Sequence, residues 1–293
     1  MKTSSTSPSP ISVGEAAMLA CLYEATAPKP GNVHPGASFA DSTFEHFQAS
    51  ARVIGPIMQV AQSQGVGQTV LDAVCATRDT VGTNTNLGMI LLFAPLAVVA
   101  DGQYLSQGIP QVLDDLTSED TRLVYEAIRI SSAGGLGRTA EADIANDPPP
   151  DLKLVDAMRL AADRDLIARQ YTNAFADVFS GTAKFIPEGQ AAGLSISESI
   201  VWAHIHQLAA EPDSLIQRKC GQQIAREASD RAAAVLASSA PGTAAYRHAV
   251  DDFDRWLRAD GHRRNPGTTA DLIAAGLFVL LREGRLQLTD TEW

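Results

Sequence analysis

Thr83-Asn84-Thr85-Asn86-Leu87-Gly88-Met89-Ile90-Leu91-Leu92-Phe93-Ala94-Pro95-Leu96-Ala97-Val98-Val99 decides the fold class. By composition Leu91–Val99 suits a short buried strand. No alternating segment bounded by an Asn-Gly or Asp-Gly turn exists elsewhere to pair with it. Its length also favours a helix, which Pro95 kinks or ends. Leu272–Leu281 is a second run of the same kind. Both are too apolar to face water and fall short of the ~20 residues that span a bilayer. They predict two adjacent buried helices at the centre of an all-α protein.

Helical spacing continues outward from these runs. Val155, Met158, Ala162 and Leu166 fall on one face, and so do Ile224, Ala228, Ala232 and Val235. Gly- and Pro-containing breaks leave segments of about one helix each, or about ten helices in all. The best linker candidate is Asp147-Pro148-Pro149-Pro150. Polar clusters lie on both sides of it, so residues 11–293 are read as a single all-α catalytic domain with that linker on its surface. Residues 1–10 are rich in Ser, Thr and Pro and are expected to form a disordered tail.

Apolar residues make up 45% of the 293, enough for a sizeable core. Aromatics are only 6%, so that core must rest on Ala, Leu, Ile and Val. A net charge of −11 argues against a general nucleic-acid binder, though not against a phosphorylated ligand held by a few local cations. Cys21, Cys75 and Cys220 are widely spaced and read as reduced thiols, which points to the cytoplasm. The first apolar stretch contains Glu15 and lacks a basic flank, so neither a signal peptide nor a membrane anchor is expected.

Four polar, glycine-bearing clusters interrupt the helices: Pro28-Lys29-Pro30-Gly31-Asn32, Thr83–Gly88, Gly134-Gly135-Leu136-Gly137-Arg138, and Asn265-Pro266-Gly267-Thr268-Thr269-Ala270-Asp271. A buried helix needs one cap, not two Thr and two Asn in four consecutive residues. That surplus points to a phosphate or ribose at the start of the Met89 helix, where free N–H groups and the helix dipole favour anions. Asn265–Asp271 stands in the same relation to the second buried helix, with Asp271 expected in its first turn. His262, Arg263 and Arg264 lie just upstream. Two prolines hold Lys29 in an extended segment that should face the same pocket. His204 and His206 point about 200° apart on a helix and cannot share a metal, so one is read as core and one as surface.

Taken in order, the clusters resemble the triphosphoribosyl-dephospho-CoA synthase family, which makes the prosthetic-group precursor of citrate lyase and malonate decarboxylase carrier proteins. A Glu followed by Pro-Lys-Pro-Gly is similar to Glu24 with Pro28–Gly31. Asn-Thr-His-Lys-Gly before an apolar helix is similar to Asn84-Thr85-Asn86-Leu87-Gly88, with Asn86 and Leu87 in place of His and Lys. Arg-Gly-Glu-Ala resembles the Arg138–Glu141 region, and Asp-Thr…Arg-x-Gly resembles Asp213-Ser214…Arg218-Lys219-Cys220-Gly221. Ser-Pro-Gly-Gly-x-Ala-Asp-Leu resembles Asn265 to Leu272. The family's Gly-Ala-His-x-Asp-Met is reduced here to Gly36-Ala37-Ser38-Phe39-Ala40-Asp41.

The resemblance implies transfer of the 5-triphosphoribosyl group of ATP to a hydroxyl of dephospho-CoA, with release of adenine. The departures leave open another acceptor, such as one in a methanopterin-type one-carbon pathway, or a non-catalytic nucleotide-binding relative. Glu24, Asp41, Glu141 and Asp271 are the candidate catalytic acids. Glu24, Asp41 and Asp271 are the candidate ligands of a Mg²⁺ expected with the triphosphate. Candidate nucleotide and phosphate contacts are Lys29, Gly31 and Asn32; Asn84, Thr85, Asn86 and Gly88; Arg138, Asp213 and Arg218; and Asn265, Gly267 and Thr268.

Overall fold

Both apolar runs are helices, and they pack against each other. The computed structural model describes residues 11–39, 42–132 and 147–286. Its first helices are α1 (Val13–Thr26), α2 (Phe44–Gln59), α3 (Ala61–Gln64), α4 (Val66–Val81) and α5 (Leu87–Val98). Next come α6 (Leu105–Asp114), α7 (Ser118–Ser132), α8 (Leu154–Arg159), α9 (Leu166–Thr172) and α10 (Ala183–Ala191), the last entered through a π-helical turn, Val178–Thr182. The chain closes with α11 (Ile196–Ala210), α12 (Ser214–Cys220), α13 (Gln222–Ser238), α14 (Ala244–Arg258) and α15 (Gly267–Arg282). Among the described residues the only extended pairing is two isolated bridges, His34 with Ala37 and Phe39 with Ser42.

The centre is α15 and α5. Every residue of α15 from Thr268 to Leu281 is buried except Asp271, and every residue of α5 from Met89 to Ala97 is buried. The rings of Phe93 and Phe278 stack with centroids 5.0 Å apart. α1, α10, α11 and the π turn pack around α15. Ala16, Ala17, Ala20 and Ala25 line the buried side of α1, so small side chains let the helices approach closely.

Pro95 does not end its helix, which runs on to Val98. Proline lacks the N–H that Leu91 O would accept in an unbroken helix. The buried hydroxyl of Tyr171 donates to that carbonyl instead, at 2.6 Å. A comparable contact fixes the π turn, where Thr182 Oγ1 donates to Leu272 O of α15 at 3.0 Å.

Among the described residues fifteen α-helices stand where about ten were expected, because several are too short to show a period. Val155 to Leu166 is not one helix. α8 stops at Arg159, and Asp165 caps a new helix by accepting from Ile167 N and Ala168 N. Ile224, Ala228, Ala232 and Val235 do share α13. Asp147, Pro149 and Pro150 are exposed, as a surface linker should be. The N-terminal ten residues lie outside the described residues.

Candidate active site

The start of α5 accounts for its surplus polar residues one at a time. Asn84 Oδ1 accepts from Leu87 N at 3.0 Å and Asn86 N at 3.3 Å, so Asn84 is the working cap. The hydroxyl of Thr85 lies 2.5 Å from that of Ser50 on α2, which itself donates to His46 O. Asn86 is left over. It is buried, and among the described residues neither its amide nitrogen nor its amide oxygen has a partner. Orphaned buried amides are rare, because each unpaired group loses its hydration without return.

Asp271 meets this helix start from the side. α15 begins at Gly267, so Asp271 is in the second turn and not the first, contrary to the sequence expectation. The dipole of its own helix therefore does not explain it. Its carboxylate instead accepts the N–H of Met89, one of the donors that the first turn of α5 leaves unpaired. The two helices are so close here that a Cβ on Gly88 would sit 2.0 Å from Asp271 Oδ2. Only glycine leaves room for the carboxylate. The polar starts of α5 and α15 thus converge, as the sequence predicted.

Charge accumulates under Asp271. Burial, and then the nearby charges of Glu24, Asp213 and Asp165, hold its carboxyl well above the usual range. Burial also pushes Glu24 up, against the opposing pull of Lys29. Cys21 is raised by burial and by the same two acids, and its Sγ lies 3.6 Å from Met89 Sδ. Glu24 and Asp213 are buried, whereas Asp271 and Asp165 keep partial exposure.

Lys29 is buried, not solvated, but its charge is directed inward. Nζ lies 2.8 Å from Glu24 Oε1 and donates to the carbonyls of Glu24 and Ala27. Those three acceptors use all three donors of an ammonium group. The expected direct phosphate contact therefore does not fit this geometry. Lys29 neutralises Glu24 and closes the C-terminal end of α1. His204 is fully buried close by, held neutral by burial and by the Lys29 charge, while His206 is half-buried and stacks on Phe185.

The first and last clusters are tied together. Asn32 Nδ2 donates to Asn265 Oδ1 at 2.6 Å, Gly31 N donates to Asp254 Oδ1 at 2.7 Å, and Arg258 bridges Asp254 to the Asn32 carbonyl. Asp213 is fully buried and joins two helix starts. One oxygen accepts from Leu215 N and Ile216 N, the other from Thr269 N and Thr269 Oγ1. Four hydrogen bonds leave it no capacity for a ligand, so its expected nucleotide contact is replaced by a structural one. Thr268 accepts from Ser214 at 3.0 Å, and Leu166 N donates back to Ser214 at 3.3 Å. Gly267 packs against Leu215.

Arg218 is exposed in the last turn of α12, away from the buried start of that helix. Asp41, Arg138 and Glu141 lie outside the described residues, as does the Gly134–Arg138 cluster. Asp165, Asp254 and Arg258 take part without having been singled out in the sequence. Asp165 before Leu-Ile-Ala carries a readable cap signal. Its proximity to Asp271 has no local signal at all. Among the described residues no three His, Cys, Asp or Glu side chains group to hold a metal ion. No helix among them is long and apolar enough to cross a membrane.

Two openings flank the convergence. A narrow crevice holding about 10 Å³ is lined by Thr77, Asn84 and Asn86 between α4, α5 and α7. A wide cleft of about 490 Å³ lies between α9, α12 and α13, with Asp165 and Ser214 in its wall.

Comparison with known proteins agrees with the geometry. The family model for ATP:dephospho-CoA triphosphoribosyl transferase matches residues 10–290. A crystal structure from Archaeoglobus fulgidus, provisionally described as a triphosphoribosyl-dephospho-CoA synthase, superposes with a TM-score of 0.63 at 28% identity, covering 81% of this chain and 99% of the other. No curated protein matches the chain.

Proposed function

The chain belongs to the ATP:dephospho-CoA triphosphoribosyl transferase family, and from that premise we propose that it transfers the triphosphoribosyl group of ATP to dephospho-CoA, with Asp271 as general base. The observation that carries the site assignment is the meeting of the α5 and α15 starts at the carboxylate of Asp271.

The reaction breaks the bond between ribose C1 and adenine and forms a bond from C1 to the acceptor oxygen. The acceptor hydroxyl loses its proton, adenine leaves carrying one, and the triphosphate remains on the ribose. Positive charge grows on the sugar ring as adenine departs, as in glycoside hydrolysis. Asp271 supports both demands. Its place beside both helix starts suits its carboxylate to take the hydroxyl proton, and until it does so its negative charge faces the developing cation. The positive helix ends of α5 and α15 suit the phosphates, and the unpartnered Asn86 amide offers one donor and one acceptor to the ribose or phosphate oxygens.

Of the three acids expected to hold Mg²⁺, Glu24 is committed to Lys29 and Asp41 lies outside the described residues. Among the described residues Asp271 remains, and an ion there would be held chiefly by the triphosphate and its waters.

The test is mass spectrometry after incubation with ATP, Mg²⁺ and dephospho-CoA. The expected result is free adenine and an equal amount of triphosphoribosylated dephospho-CoA, both lost in Asp271→Asn. Adenine release without the adduct, or an adduct that Asp271→Asn forms at the native rate, refutes the assignment.

A further inference from the structure

We infer that the wide cleft between α9, α12 and α13 is the acceptor subsite, and that it holds the diphosphate and pantetheine arm of dephospho-CoA. This rests on the transfer reaction proposed above. The cleft holds about 490 Å³, a volume typical of pockets for a small organic ligand. It opens beside the reacting centre. Ser214 in its wall donates to Thr268 in the first turn of α15, and Asp165 in its wall is close enough to raise Asp271.

Charge decides which substrate it takes. The wall carries three arginines against four acids. Arg169 is already spent, at 2.9 Å from Asp177 and 3.2 Å from Glu211. A triphosphate would bring its concentrated negative charge into a wall that is itself slightly negative. The acceptor makes a smaller demand, since its diphosphate diester carries two charges and the rest of its arm is neutral. Arg226 is exposed on α13 and, among the described residues, has no ion-pair partner, so its guanidinium is available to that diphosphate. Gln217 and Gln222 line the same wall and present amides, the complement of the two amides in a pantetheine arm. The donor is left with the helix starts, and the two substrates meet at Asp271.

The experiment is calorimetric titration of the full-length protein with dephospho-CoA, and separately with ATP and Mg²⁺. Arg226→Glu should weaken dephospho-CoA binding about tenfold or more, the effect of losing one charged hydrogen bond. Gln222→Trp, which fills the cleft from an exposed position, should weaken it at least as much. Neither should change ATP affinity by more than roughly twofold, since 1.4 kcal/mol already corresponds to tenfold. Both sites are on the surface, so unchanged thermal unfolding is expected and is checked alongside. Dephospho-CoA affinity unaltered in both variants, an equal loss of ATP affinity, or no dephospho-CoA binding by the native protein overturns the assignment. A protein that binds dephospho-CoA through Arg226 yet forms no triphosphoribosyl product upholds the cleft and refutes the reaction.

Discussion

Gly88→Ala is the sharpest test of the convergence at Asp271. At an ordinary helical position this change stabilises by ~0.5–1 kcal/mol, because alanine loses less backbone freedom on folding. Here the added methyl would lie 2.0 Å from Oδ2 and 2.4 Å from Cγ of Asp271. No such contact can be kept, so the carboxylate must swing away. It is the tip of a short, partly exposed side chain, so it can escape without moving a backbone. Escape forfeits the N–H of Met89. A hydrogen bond to a charged group contributes ~1.5–3 kcal/mol, and set against the helical gain the net destabilisation is ~1–2 kcal/mol. For a chain of this size that lowers Tm by roughly 2–8 °C. Turnover should fall much further, by about 10²-fold or more, since a general base is misplaced. Gly276→Ala is the control. Its methyl would lie 2.3 Å from Thr182 Oγ1, an equal crowding farther along α15. It should lower Tm while leaving turnover per folded molecule unchanged. Scanning calorimetry and an adenine-release assay read both quantities. A Gly88→Ala protein with raised Tm and native turnover would refute the reasoning.

Asp271→Asn should reduce turnover by about 10²-fold or more while the protein stays folded, because the amide oxygen can still accept from Met89. The native carboxyl is raised by burial and by Glu24, Asp213 and Asp165, so the folded state binds the extra proton. Native stability should therefore fall as pH rises from the usual carboxylate range through the raised value, and Asp271→Asn should flatten that fall in melts between about pH 4 and 9. Lys29→Met should destabilise by ~3–5 kcal/mol by leaving Glu24 buried without its partner, and adding Glu24→Gln should restore much of the loss in urea melts. If Lys29→Met instead leaves stability intact and weakens only ATP binding, the inward reading of Lys29 is wrong. Tyr171→Phe should cost ~1–2 kcal/mol by orphaning Leu91 O. Pro95→Ala should relieve that loss in the double variant by returning the helical donor, and strict additivity of the two would count against the pairing.

What could be read in advance was whatever a segment states about itself. Met89 to Ala97 announces a buried helix by being apolar on every side, and Asn84 announces a start by its type and place. Of the surplus at residues 83–86, Asn84 is the cap and Thr85 a strut to Ser50, and Asn86 is the residue that packing and capping leave unexplained. What could not be read was pairing across the chain. Lys29 looked like a phosphate ligand because nothing local shows that three acceptors surround it. Asp213 looked like a ligand contact because its second helix start, at Thr269, is supplied by a distant segment. Asp271 lies a turn deeper in α15 than its sequence neighbourhood suggests, and its contact with Met89 depends on the room left by Gly88. Tyr171 was silent for the same reason, since the missing donor at Pro95 is legible while the hydroxyl that replaces it is not.

The bond between Asn32 and Asn265 joins residues 233 apart in the chain. Its consequence is temporal. Closing a loop of that length costs about 5 kcal/mol in chain entropy before any contact is regained. A ribosome adding roughly 5–20 residues per second delivers α15 some ten to fifty seconds after α1 has emerged. Through that interval Glu24, Lys29 and the alanine face of α1 have no α15 to cover them. The centre of this molecule is thus assembled last, and α1 spends the whole of synthesis as an unfinished wall.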